Sequence, residues 1–123
     1  METKEKTLRE ICNELSVTRR AVQGYEKAGL VCATGRNKYG HLLYDENARK
    51  RIATIKFYQQ LGFQVKEIRQ IIDAPRMELK RVLESRIMQL EKEQEQKELL
   101  LEEAYRFVNR LYQEIAKNKE VRT

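Results

Sequence analysis

The sequence predicts a mainly α protein: a winged helix-turn-helix head with a small two-stranded wing, followed by a long C-terminal coiled-coil helix. Two short amphipathic helical patterns meet at a tight turn within residues 7–29, the arrangement of a helix-turn-helix. A polar loop with short extended flanks follows. From Arg76 onward there is neither Gly nor Pro, but a seam of apolar residues at heptad spacing. The 123 residues, 41% apolar and 36% charged, suffice for one compact domain and an appendage, with much of the chain facing water. We place the boundary at Pro75, giving a head of residues 1–75 and a helical segment with a short tail in residues 76–123.

The first helix starts after Thr7, where Thr7-Leu8-Arg9-Glu10 has the form of a capping box. The threonine hydroxyl accepts from the amide three residues on, and the glutamate reaches back. Leu8, Ile11, Cys12 and Leu15 recur on one face. Ser16 and Val17 make the link, and Thr18 is a second N-cap. Ala21, Val22 and Tyr25 carry the second helix towards the same core, until Gly29 ends it as a left-handed C-cap. Residues 31–33 and 42–44 are short extended candidates around loop 34–41, and together they form the expected wing. Asp45 caps a third helix that places Ala48, Ile52, Ile55 and Tyr58 at helical spacing before the Leu61-Gly62 stop. Phe63, Val65, Ile68, Ile71 and Ile72 predict a short fourth helix, and Pro75 breaks the chain before the last element.

In that last element Leu83, Ile87, Leu90, Gln94, Lys97, Leu101, Ala104, Val108, Leu111 and Ile115 follow one another by alternating steps of four and three. Helical to Lys119, the segment is roughly 65 Å long, and its apolar stripe needs a partner to cover it. Leu83, Ile87, Leu90, Leu101, Ala104, Val108, Leu111 and Ile115 are therefore the expected dimerisation residues of a homodimer. Gln94 and Lys97 interrupt the seam; they set register or chain direction, or they mark a bend or looser centre.

The formal net charge is +6. Up to Pro75 there are 14 Lys and Arg against 9 Asp and Glu, a balance of +5; the remainder has 11 against 10, a balance of +1. The excess thus belongs to the head and points to a polyanionic partner, double-stranded DNA. No run approaches the roughly 18 to 20 apolar residues of a membrane span. The polar start lacks the apolar core of a signal peptide, so we expect a cytoplasmic protein with no membrane partner. Cys12 and Cys32 form no CxxC or Cys/His cluster; we expect two small, partly buried thiols, no metal site and no cofactor. There is no phosphate loop, nucleophile motif or acid/base pair, which argues against an enzyme.

A recognition helix needs side chains near its N-terminus that reach base edges, with cations and donors around them that hold phosphates. Thr18, Arg19, Arg20 and Gln23 meet that description, since Arg pairs bidentately with guanine and Gln with adenine. Tyr25 is expected to pack its ring on the core and send its hydroxyl to a phosphate. In the wing, Arg36, Lys38, Tyr39 and His41 are expected at the flanking groove. His41, the only histidine, has no ligand partners at metal-binding spacing. Arg49 and Lys56, two turns apart on one face of the third helix, are either a second phosphate track or solvated surface.

Taken together, Val17-Thr18, Tyr25-Glu26, Gly29-Leu30, Arg36, Gly40, Tyr44, Leu61-Gly62-Phe63 and Glu67-Ile68 resemble the MerR family of bacterial transcriptional regulators across residues 7–75. The resemblance implies a sequence-specific regulator whose antiparallel coiled coil sets two heads on a palindromic promoter operator. It also implies that the bound dimer distorts the DNA so that RNA polymerase engages. Two family positions differ: Gln23-Gly24 stands where relatives carry Arg-Tyr, and Gly40-His41-Leu42 where the wing reads Gly-Tyr-Arg. Gly24 costs a helix roughly 0.5 to 1 kcal/mol relative to Ala, which points to a close backbone approach to DNA. Residues 73–123 hold no cysteine, so thiolate metal sensing and an iron-sulfur cluster are not expected. Two other functions stay open on the residues alone: an effector-less repressor or architectural DNA-binding protein, and a coiled-coil adaptor whose head has lost DNA binding.

Overall fold

The computed structural model describes residues 5–121, and their side chains as far as Lys119. Strand β1 (Lys6–Thr7) leads into α1 (Leu8–Leu15), α2 (Arg19–Lys27), β2 (Gly35–Arg36), β3 (Leu42–Tyr44), α3 (Glu46–Gln60), α4 (Val65–Ile71) and α5 (Arg76–Val121). The expected capping box is present: Thr7 Oγ1 accepts from the Glu10 amide at 3.3 Å, and Glu10 Oε1 accepts from the Thr7 amide at 3.0 Å. Ser16 ends α1 in the left-handed region (φ 53°) and turns the chain towards α2. Gly29 (φ 76°) follows α2, and Gly62 (φ 105°) follows α3.

The wing departs from the expected two strands. Residues 31–33 are not a strand; β2 begins at Gly35, and the sheet has three strands in the order β1-β3-β2, all antiparallel. The reason is the register of the wing. Leu43 pairs with Thr7 on one edge and Gly35 on the other, while Leu42 pairs with Arg36 and Tyr44 with Lys6. Continued backwards in the β2 register, residues 31–33 would face residues 45–47, and these begin α3, so there is no strand for them to pair with. Thr34 straps the entry to the wing instead: its amide donates to the Leu43 carbonyl at 2.8 Å, and its hydroxyl accepts from the Asp45 amide at 2.8 Å.

Every helix of the head contributes to one core. Ile11, Val22, Ile52, Ile55 and Ile68 are fully enclosed, joined by Tyr25, Leu30, Tyr44, Ala48, Tyr58 and Ile71. Leu79, on the first turn of α5, is buried as well, and the chain's contacts divide after it into two compact units. Among the described residues, the second unit is the remainder of α5. On it Leu83 and Leu90 are half-buried, while Ile87, Leu101, Ala104, Val108, Leu111 and Ile115 are exposed.

Polar side chains of α3 tie the other helices to it. Lys56 Nζ donates to the Leu15 carbonyl at 2.5 Å, at the end of α1. Arg51 Nε donates to the Leu30 carbonyl at 2.7 Å, just past α2, while its two terminal nitrogens meet the Asp73 carboxylate at 2.7 and 2.8 Å. Arg49 Nε donates to Glu14 on α1 at 2.6 Å, and Lys6 of β1 pairs with the same carboxylate.

Lys6 first, and Arg49 second, hold the Glu14 carboxyl below its ordinary value. A carboxylate whose folded pKa lies below its unfolded one contributes stability that is present at neutral pH and lost as pH falls through the folded value. Glu14→Gln should therefore melt below wild type at about pH 7. The two Tm values should converge as the solution is acidified past the carboxylate range. Thermal denaturation across a pH series, repeated at high salt where the gap narrows, checks this.

Candidate DNA-binding face

Helix α2 is built to present one face outward. Thr18 Oγ1 accepts from the Ala21 amide at 3.0 Å and starts the helix, and Val22 and Tyr25 anchor it in the core. Arg19, Arg20, Gln23, Gly24 and Lys27 are left exposed on the other side, where Arg20, Gln23, Gly24 and Lys27 line a shallow groove with Glu26. Among the described residues, Arg19, Arg20 and Lys27 enter no ion pair or hydrogen bond through their side chains. A Cβ added at Gly24 would meet nothing within 4 Å. The fold does not demand glycine there, so its effect is to bare the backbone on this face.

The expected hydroxyl contact of Tyr25 is corrected. Tyr25 is 2% exposed, and its hydroxyl donates to Gln59 Oε1 at 2.5 Å. Burial pushes its phenol above the ordinary value, so it stays protonated and inward. It supports α2 from beneath and does not face a phosphate. A second buried phenol does the same for the wing: the Tyr44 hydroxyl donates to Glu26 Oε1 on α2 at 2.5 Å. Burial first, and then the Glu26 carboxylate, raise its pKa well above the usual range. Arg49 and Lys56 are corrected too. They bond Glu14 and the Leu15 carbonyl, so they are internal ties and not a phosphate track.

In the wing, Arg36, Lys38, Tyr39 and His41 are all exposed. The turn is organised by Asn37, whose Oδ1 accepts from the Tyr39 and His41 amides at 2.9 and 3.0 Å, and Gly40 takes φ 83°. Arg36 Nη1 donates to the Gly40 carbonyl at 2.8 Å, which closes the hairpin while the guanidinium stays exposed with further donors. Lys38 Nζ lies 5.1 Å from the centre of the Tyr39 ring, and the Tyr39 and His41 rings are 6.3 Å apart. Cys12 is half-buried as expected, but Cys32 is exposed because the strand expected to carry it does not form. Among the described residues no group of His, Cys, Asp and Glu has the arrangement of a metal site, and no helix is long and apolar enough to cross a membrane.

Sequence reasoning passed over Lys66 and Arg69. Both are exposed on α4, and with Val65 and Gln70 they line a groove against Ala28, the residue that ends α2. The legible signal was their position opposite Ile68, the buried residue of the same helix.

A winged helix-turn-helix with an uncompensated basic face on its second helix is the arrangement of a DNA-binding domain. The family of MerR helix-turn-helix regulatory proteins matches residues 6–75, and the MerR DNA-binding family matches residues 49–103. The chain belongs to the MerR family of helix-turn-helix regulatory proteins. It is 36% identical over 64 residues to the nodulation protein NolA of Bradyrhizobium diazoefficiens, an alignment covering 52% of this chain and 27% of that protein. The chain thus spans only about a quarter of that relative. In fold it is similar to HiNmlR, a MerR family regulator lacking the sensor domain, solved bound to promoter DNA. That match has a TM-score of 0.68 at 16% identity and covers 80% of each chain. A MerR family regulator from Bacillus cereus matches with a TM-score of 0.65 at 27% identity, over 80% of this chain and 75% of that one.

Tyr25→Phe keeps the ring and removes only the buried hydroxyl. It should lower unfolding free energy by about 1 kcal/mol and leave DNA affinity nearly unchanged, measured by denaturant titration and by fluorescence anisotropy on one operator.

Proposed function

We propose that this regulator works as a homodimer on a palindromic promoter operator in double-stranded DNA. In this reading Thr18, Arg19, Arg20 and Gln23 sit at the major groove, and Arg36, Lys38, Tyr39 and His41 at the flanking groove. Residues 1–75 are the DNA-binding head, residues 76–123 supply the dimerisation helix, and the protein acts in the cytoplasm. The observation that carries this is the division of the cations. Lys6, Arg49, Arg51 and Lys56 are bound to partners inside the head, whereas Arg19, Arg20 and Lys27 on the outward face of α2 are not. A cluster of unpaired cations repels itself, and phosphates relieve that repulsion. Lys66 and Arg69 extend the same positive border beside the end of α2. Two rigid heads on one operator bend or untwist the DNA between their half-sites, and that distortion is how the bound dimer presents the promoter to RNA polymerase.

Base readout and phosphate positioning have different signatures. Arg19→Ala should cost about 1 to 3 kcal/mol at one operator position and relax specificity there. Arg36→Ala should weaken binding evenly across sequences and lower the salt slope by about one. Anisotropy titrations with a set of operator variants, each over a salt series, separate the two. A head with no salt-dependent DNA binding would instead support an adaptor role.

The exposed seam of α5 predicts the oligomeric state. Leu101→Asp combined with Leu111→Asp should abolish dimers in sedimentation equilibrium at micromolar protein and, with them, cooperative occupation of the two half-sites. Wild-type protein sedimenting as a folded monomer at that concentration is the contrary result.

A further inference from the structure

We propose that Gln23 and Gly24 of α2 act as one reading unit: Gly24 lets the helix backbone approach the floor of the major groove, and Gln23 reads an adenine there. This rests on the DNA-binding reading above and adds to it a base and the residue that admits it. Nothing in the fold asks for glycine at position 24. Its φ lies outside the left-handed region, unlike that of Gly29, Gly40 and Gly62. It sits inside α2, its carbonyl accepts from the Ala28 amide at 3.0 Å as any helical residue's would, and a Cβ built on it meets nothing within 4 Å. Alanine would fit both the space and the backbone, and would hold this nine-residue helix more firmly. The glycine therefore weakens a short helix with no compensating contact inside the molecule. What it leaves is bare backbone on the outward face.

The surroundings of Gly24 say what comes close to it. Arg20 stands one turn before it and Lys27 one turn after, and both line the same shallow groove. Among the described residues neither pairs with a carboxylate, so both are free to draw phosphates towards the bare backbone between them. Glu26, the acidic residue of the groove, is half-buried and tied to the wing by the Tyr44 hydroxyl. A major groove about 12 Å wide admits an α-helix that is about 10 to 12 Å across with its side chains. With so little slack, one missing side chain on the leading face decides how deeply the helix seats.

Gln23 is the residue that needs this depth. It is exposed beside Gly24 and, among the described residues, its side-chain amide has no hydrogen-bond partner. It stands a full turn into α2, past the N-terminal residues that ordinarily reach base edges. Its amide also lies closer to its own Cα than a guanidinium does. A short reader at that place needs a close helix, whereas the longer Arg20 reaches without one. Once the helix is seated, the Gln23 amide nitrogen donates to adenine N7 and its carbonyl accepts from the adenine N6 amino group. That pair of one acceptor and one donor is what adenine alone presents on its major-groove edge.

The test uses the full chain, with Gln23→Ala, Gly24→Ala and both together, and a randomised duplex pool as the probe. Gly24→Ala should melt above wild type, because the added methyl has room and favours the helix. Its affinity for the duplex that wild type selects should nevertheless fall by about tenfold or more. A merely structural role for Gly24 would move stability and binding in the same direction. In sequenced selections, wild type should recover an adenine position in each half-site that Gln23→Ala leaves unspecified and Gly24→Ala weakens. On the selected duplex, Gly24→Ala should cost much less affinity once Gln23 is already alanine, since no short reader is left to seat. Gly24→Ala binding as tightly as wild type would overturn the proposal, as would equal costs in the two backgrounds or a Gln23→Ala selection that keeps every adenine. A wild type that recovers no sequence and binds DNA without salt dependence would remove the DNA-binding reading itself, and this unit with it.

Discussion

The head depends on α3 satisfying the carbonyl ends of the helices that precede it. The last carbonyls of a helix have no partner within it, and the helix dipole makes that end attractive to cations. Leu15, the last residue of α1, carries such a carbonyl and receives Lys56 from α3; the Leu30 carbonyl, in the turn that follows α2, receives Arg51. Arg51 also takes the Asp73 carboxylate beyond α4, and Gln59 accepts from the Tyr25 hydroxyl. One helix thereby fixes α1, α2 and the end of α4 while its apolar side chains Ile52 and Ile55 fill the core between them.

This constraint explains why the outward face of α2 is defined. With Val22 and Tyr25 held inward, the rotation of α2 about its axis is set, and Arg19, Arg20 and Gln23 have one direction left. The wing is held to the same helix by Tyr44 and Glu26, so reader helix and wing are positioned through shared contacts. A regulator that reads bases needs such rigidity, because contacts to base edges discriminate only when the side chains that make them are placed in advance.

The same chemistry gives a basic residue opposite uses according to what lies nearby. Arg49 and Lys56 stand two turns apart on one helix, and in sequence they read as either a phosphate track or solvated surface; in the fold a carboxylate and a carbonyl occupy them. Arg19 and Arg20 have the same composition and no such neighbours. The distinction depends on residues up to 41 positions apart, which local patterning does not report.

Local physics was legible in the chain. Capping at Thr7, Thr18 and Asp45, the apolar periodicities of α1 to α4, the stop at Gly29 and the long uninterrupted α5 all follow from interactions within a few residues, and all appear as read. The outward side chains of α2 followed as well, because periodicity that names the buried face also names the exposed one. Tertiary structure alone decided the rest. Whether residues 31–33 became a strand depended on a partner, and the residues they would face in the register of β2 and β3, 45–47, begin α3 instead. The Tyr25 hydroxyl turned inward because Gln59, 34 residues on, offered an acceptor there. A strand and a buried hydroxyl both need a second group brought from elsewhere in the chain, and only the folded packing says which group arrives.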